Sequence, residues 1–177
     1  MTARSVTAAA CLVLLGGLMA LPAAAETPLT LSPDQQDLPA ELSGHPLFEP
    51  WGAPFGAPPF DRIEPAHFLP AFDRALAIHR AEIAAIASQT ERPTFANTID
   101  AIELAGSDLG RIQRTFSTYV SSATGDEIRA IQSEISPRLA VHNSEIALNQ
   151  DLFARIATLQ EKAGSLGISD EQRRVLD

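Results

Sequence analysis

The chain has 177 residues, enough for one ordinary core, with a formal net charge of −9 and a single cysteine. So acidic a chain offers no electrostatic footprint for nucleic acid or anionic lipid, and it would repel a phosphate backbone. Cys11 is the one thiol, so no intrachain disulfide is available and the fold must be held by packing.

Residues 1–25 read as a secretory signal peptide. Arg4 supplies the positive start, Ala8 to Leu21 an apolar run, and Ala23-Ala24-Ala25 a small-residue cleavage site after Pro22. The run is short for a bilayer span, which needs about 20 apolar residues. The expectation is therefore an exported, periplasmic protein cut near Ala25, with no stable membrane association afterwards. Cys11 lies before most of the apolar run, not at the cleavage point, which argues against lipidation.

Residues 26–59 form a proline-rich arm or linker, holding eight of the thirteen prolines. Proline fixes φ and removes a backbone donor, so neither a helix nor a central strand is expected here. The stretch to Ser43 is polar. Beyond it Leu47, Phe48, Trp51, Phe55 and Phe60 are too apolar for a free linker, and are expected to run extended across a surface and pin the arm to it.

Residues 60–177 carry helical spacing. Pro65 and Pro70 suit a first turn, where a missing N–H costs nothing. Phe72, Leu76, His79, Ile83 and Ile86 then fall on one helix face, until Thr90–Thr94 with Pro93 breaks it. A second helix is expected from Phe95, with Ile99, Ile102 and Leu104 apolar and Gly106 ending or kinking it. Leu109, Ile112, Phe116 and Tyr119 or Val120 continue the spacing to Ala123. After a turn at Ser121–Gly125, Asp126 and Glu127 favour a new N-terminus. Its stripe is Ile128, Ile131, Ile135, Leu139 and Ile146, with Pro137 expected to kink or split it. Another helix starts at Asn149–Asp151, with Leu152, Phe153, Ile156 and Leu159 apolar and Gly164 at its end. Ser169-x-x-Gln172 reads as a capping box. The helix it opens runs only about two turns before Asp177, which is read as a truncation. No strand-like alternation of useful length appears. The fold class is all-α, an array of antiparallel helices.

Residue chemistry offers no active site. None of His45, His67, His79 and His142 begins an H-E-x-x-H, the pattern by which one helix supplies zinc ligands and a general base. His79-x-x-Glu82 and His142-x-x-Glu145 are i, i+3 pairs that could supply two ligands each, but a solvated polar pair is the commoner arrangement. No G-x-S-x-G is present. Gly106-Ser107-Asp108-Leu109-Gly110 lacks the strand and the G-K-[ST] of a phosphate loop and reads as a helix junction, with Ser107 or Asp108 available as a cap. Glu82, Asp100, Glu103 and Glu134 fall where exposed helix faces should lie.

The stretch His45-Pro46-Leu47-Phe48-Glu49-Pro50-Trp51, then Pro54-Phe55-Gly56-Ala57-Pro58-Pro59-Phe60-Asp61-Arg62-Ile63 and Glu64-Pro65-Ala66-His67-Phe68-Leu69-Pro70-Ala71-Phe72, resembles the start of peptidyl-dipeptidases and oligopeptidase A, close relatives of thimet oligopeptidase. His45 stands where that family often has asparagine. Pro93-Thr94-Phe95-Ala96-Asn97-Thr98-Ile99, Glu134 to Ala140 followed by His142, Leu152 to Ile156 and Gln172 to Leu176 are similar to later family patterns in the same order. The resemblance, closest to peptidyl-dipeptidase, covers about residues 45–177.

It implies an all-α zinc metallopeptidase that cuts short, unfolded peptides in a channel between two helical halves. This chain would be part of one wall of that channel. The family's H-E-x-x-H lies further along a longer chain and matches nothing here. No catalytic, cofactor or metal residue carries over: zinc, one ion, would belong to the parent, and this chain alone would be inactive. A stand-alone helical peptide-binding or scaffold protein is the other reading, and a cooperatively folded product at this length would favour it.

Overall fold

A computed structural model describes residues 44–123 and 125–176. The expected signal peptide and the polar half of the arm, with Cys11, lie outside these residues. Among them the structure is all-α, with no strand. A 3₁₀ turn at Pro65–His67 leads into α1, Phe68–Ala87. A π-helical turn at Phe95–Asp100 passes into the short α2, Ala101–Leu104. Then come α3, Ser107–Ser122, α4, Asp126–Ala147, α5, Gln150–Lys162, and α6, Asp170–Leu176.

Helix α1 is the hub, packing against α3, α4 and α5. Its apolar face divides into two clusters. The first gathers Phe68, Phe72, Ala75 and Leu76 of α1 with Leu109, Ile112 and Phe116 of α3 and Ile128, Ile131 and Ile135 of α4. Phe116 meets Phe68 and Phe72 edge-on, with ring centroids 4.9 and 5.5 Å apart. Burying each such ring stabilises the fold by about 1.5–3 kcal/mol. The second cluster joins Ile83 and Ile86 to Leu152, with Ile102, Ile146 and Ile156 packed around them. His79 falls on α1 between the two clusters.

The arm does reach the core. Leu47 has no exposed surface and Ile63 is buried in the first cluster, with Phe48 and Trp51 packed on it. The path is turned rather than extended: the N–H groups of Phe48 and Glu49 both donate to the His45 carbonyl. His45 Nδ1 accepts the Leu47 N–H at 3.3 Å. That is the short side-chain-to-backbone bond an asparagine makes in an Asx turn, and it accounts for histidine at this place. Trp51 Nε1 donates to the Pro46 carbonyl at 2.8 Å, and the Arg111 guanidinium lies 5.0 Å over its ring. The Tyr119 hydroxyl donates to the Ile63 carbonyl at 2.8 Å and lies 3.3 Å from that of Phe60.

Four expectations are corrected. Phe55 pins nothing: it is fully exposed, at φ 62 within a 3₁₀ turn, and Phe60 is also exposed. Pro137 does not split α4, which runs unbroken from Asp126 to Ala147. Both Pro137 and Ser133, whose carbonyl loses its i+4 donor, face solvent, where water can replace that bond. Phe153 is exposed. The buried stripe of α5 is Leu152, Arg155 and Leu159, and Phe153 is turned about 100° from Leu152. Leu104 is exposed, because α2 ends there after a single turn.

The capping box at the start of α6 is present. Gln172 N–H donates to Ser169 Oγ at 3.2 Å and Ser169 N–H to Gln172 Oε1 at 2.9 Å. A second capping box, Thr94 with Asn97, opens the π-helical turn.

Candidate functional site

Two buried polar junctions stand out from an otherwise apolar interior, and both lie along α1. The first is built on Arg155. Spacing on α5 places it between Leu152 and Leu159, so its guanidinium enters the protein with them. Nη1 donates to the carbonyls of Gln89 and Glu91 at 3.0 and 3.2 Å. Nη2 reaches Gln89 Oε1 at 2.9 Å, Asn97 Oδ1 at 3.0 Å and Thr98 Oγ1 at 3.3 Å. One side chain thereby ties α5 to the segment after α1 and to the π-helical turn. Burial lowers the Arg155 pKa, partly opposed by the charge of Glu91. Periodicity marked Arg155 only as a lone cation in an apolar stripe and did not mark Thr98, buried beside it; both fall in stretches singled out for their resemblance alone.

The second junction brings together the two i, i+3 pairs of the sequence. His79 Nδ1 lies 2.9 Å from His142 Nε2, with the rings tilted at 61°. Arg80 Nε donates to Glu145 Oε2 at 3.0 Å between the same two helices. Glu82 Oε2 accepts the N–H of Gly106 at 2.7 Å. Gly106 sits at φ 70 and begins α3. A Cβ there would meet the His79 ring at 2.8 Å, so glycine is required by both φ and space.

These pairs depart from the solvated ones expected at His79, Glu82 and His142, whereas Glu145 is exposed as expected. His142 has no exposed surface, and Glu82 is partly buried, whereas Asp100, Glu103 and Glu134 are exposed. The expected caps of α3 differ too. Its N-cap is Gly106, without a side-chain cap bond, and Asp108 pairs with Arg111 at 3.1 Å. The N–H of the N-cap residue itself, Gly106, is held by Glu82, from α1.

Burial lowers the pKa of both imidazoles. The second cause at His79 is the charge of His142. At His142 it is Arg80, with Glu145 opposing. Burial also raises the Glu82 carboxyl pKa. The bond from Gly106 opposes that shift and the charge of Asp108 adds to it.

No protein-family model matches the chain. Dipeptidyl carboxypeptidase of Salmonella typhimurium is 37% identical over 136 residues, which is 77% of this chain and 20% of that protein. The same enzyme of Escherichia coli is 39% identical over 124 residues, 70% of this chain and 18% of the relative. The chain is a homologue of the dipeptidyl carboxypeptidases. Oligopeptidase A of Escherichia coli is also similar, at 24% identity over 131 residues, 74% of this chain and 19% of its own length. The chain thus spans about a fifth of the length of the curated relatives it matches.

Homology to peptidases raises the question of a metal seat. Among the described residues no group of three or more His, Cys, Asp or Glu could hold a metal ion. His79 and His142 spend their facing nitrogens on each other, and Glu82 and Glu145 are committed to Gly106 and Arg80. A hydrolytic zinc site needs three protein ligands and an open position, which this junction does not provide. Nor is any described helix long and apolar enough to cross a membrane. What the arrangement does supply is cross-linking: one polar node joins α1 to α4 and to the start of α3, and the other joins α5 to the segment after α1.

Proposed function

We propose that this chain is the non-catalytic, wall-forming part of an exported zinc oligopeptidase of the peptidyl-dipeptidase kind, whose substrates are short unfolded peptides. The observation that carries the proposal is 37% identity over 136 residues to a dipeptidyl carboxypeptidase. That relative's name describes release of dipeptides from the carboxyl end, and the same chemistry is proposed for the enzyme to which this chain contributes. Zinc and the groups that activate water are assigned to residues outside this chain. The part played here is positional. A braced four-helix surface keeps its shape while peptide is held against it, which conserves the orientation on which hydrolysis depends. The signal-like residues 1–25 support export, with cleavage near Ala25.

The test is an exchange. Residues 45–177 are put in place of the matching segment of the Escherichia coli dipeptidyl carboxypeptidase. Release of C-terminal dipeptides from a blocked peptide should persist, with zinc content unchanged. A folded, zinc-loaded chimera that releases none would overturn the wall assignment. Dipeptide release by the purified 177-residue chain with added zinc would overturn the non-catalytic one. For export, N-terminal sequencing of the periplasmic fraction should begin at Glu26.

A further inference from the structure

The His79–His142 contact does something that neither peptide hydrolysis nor wall-building requires. It places two titratable rings edge to face in the gap between two apolar clusters, at the point where α1, α4 and the start of α3 converge.

The proton inventory of this pair is tight. At 2.9 Å one ring nitrogen must donate and the other accept. His142 Nδ1 is buried with no hydrogen-bond partner. The arrangement that leaves no buried N–H without an acceptor is therefore His142 Nε2–H donating to His79 Nδ1, with a bare lone pair on His142 Nδ1. A further proton has two places to go, and both break the fit. On His142 Nδ1 it becomes a buried cationic N–H with nothing to receive it. On His79 Nδ1 it meets the N–H of His142 and abolishes the bond.

The neighbouring charges are already engaged, and Glu145 offsets the added charge only in part. The charged groups around the pair are Arg80 and Glu82 from α1, Glu145 from α4 and Asp108 from α3. Glu145 is already paired with Arg80, Glu82 with the Gly106 amide and Asp108 with Arg111. From α5 the buried charge is Arg155, turned to Gln89 and Glu91. Glu103 of α2 is exposed. The ring cannot slide aside either, because the Gly106 backbone stands against one side of His79.

We propose that the His79–His142 pair is an acid-sensitive latch: closed while both rings are neutral, and opened by a proton entering the seam, which loosens α1 against α4 at this level and with it the start of α3. The lowered pKa of both rings agrees with this. A lowered folded-state value means that the unfolded chain binds more protons. The latch is therefore fully effective above the ordinary histidine pKa of about 6.5 and weakens as pH falls below it. It would make the junction firm in neutral surroundings and loose in mildly acidic ones. The inference does not depend on the peptidase assignment.

The experiment uses the 177-residue chain. Carbon–proton correlation spectra follow the ring Cε1 shifts of the four histidines from pH 8 to pH 4.5. Amide hydrogen exchange, corrected for its intrinsic pH dependence, follows Gly106 and the backbone around His142. His79 and His142 should titrate together, below about 6.5. Exchange at Gly106 and in α4 should rise about tenfold for each pH unit from about 6.5 down to the titration of the folded pair, and level off below it. His142→Gln keeps a donor near the Nε2 position without titrating there, and should flatten the exchange profile. His79→Asn, which keeps an acceptor near Nδ1, is the second variant should the first not fold. Independent titration of the two rings at the ordinary value would overturn the latch. So would acid-induced exchange that is the same in either folded variant as in the parent.

Discussion

Gly106 lies so close over His79 that a methyl group on its α-carbon would be 2.8 Å from the ring's Cε1 and Nδ1. Its φ of 70 is also one that L side chains rarely adopt. Gly106→Ala therefore meets two penalties, a left-handed backbone and overpacking against a ring held by His142. Together they should cost about 2–4 kcal/mol, read as a lower urea midpoint with an unchanged m-value.

Arg155 supplies the donors for five acceptors. Arg155→Met keeps most of the apolar stem but removes the donor to those oxygens, of which Asn97 Oδ1 alone keeps other donors, in Thr94 and Thr98, and should destabilise by about 2–4 kcal/mol. Arg155→Lys should fall between the two, because an ammonium cannot span both sets of partners as a planar fork does. Equal midpoints for Lys and Met would show that the fork geometry contributes nothing.

Tyr119 ties the arm to α3 through its hydroxyl. Tyr119→Phe removes the bond to the Ile63 carbonyl and leaves the ring contact with Phe68 in place. A loss of about 1 kcal/mol is expected, concentrated in the arm. Trypsin should then cut after the exposed Arg62 sooner than in the parent chain, with little change in global unfolding.

Glu82 titrates in the opposite sense to the histidines. Its carboxyl pKa is raised, chiefly by burial. The folded chain then holds the proton more tightly than the unfolded one. The stability this contributes is complete below the ordinary carboxyl value and is lost as pH rises through the folded value. Glu82→Gln retains an acceptor for the Gly106 N–H without the charge. Its stability relative to the parent should increase from pH 4 to pH 7, measured by paired urea titrations. A constant difference across that range would mean that the carboxylate is not strained by its position.

The helices were legible because their apolar residues recur at three and four, and the interior uses that spacing directly: Phe72, Leu76, Ile83 and Ile86 all bury. The junctions were not, because each depends on residues far apart in the chain. His79 and His142 are 63 positions apart, and Arg155 is 66 from Gln89. Periodicity reports which face of a helix turns inward, not which polar groups meet there. Phe153 and Leu104 show the reverse failure: an apolar side chain beside a stripe, or at a helix end, is not committed to burial. Pro137 misled because the cost of a proline inside a helix depends on whether the freed carbonyl can reach water, and at Ser133 it can. The peptidase relationship was readable from the order of prolines and aromatics between residues 45 and 72, a stretch in which Leu47, Ile63, Phe68 and Phe72 are indeed buried.

The bond between Ile63 and Tyr119 crosses 56 positions, which gives the arm a place in time as well as in space. A ribosome adds about 5–20 residues per second, so the arm emerges roughly 3–11 s before the tyrosine that fastens it. Through that interval Leu47 and Trp51 have no finished surface to lie on. The N-terminal segment then docks late, once α3 exists to receive it.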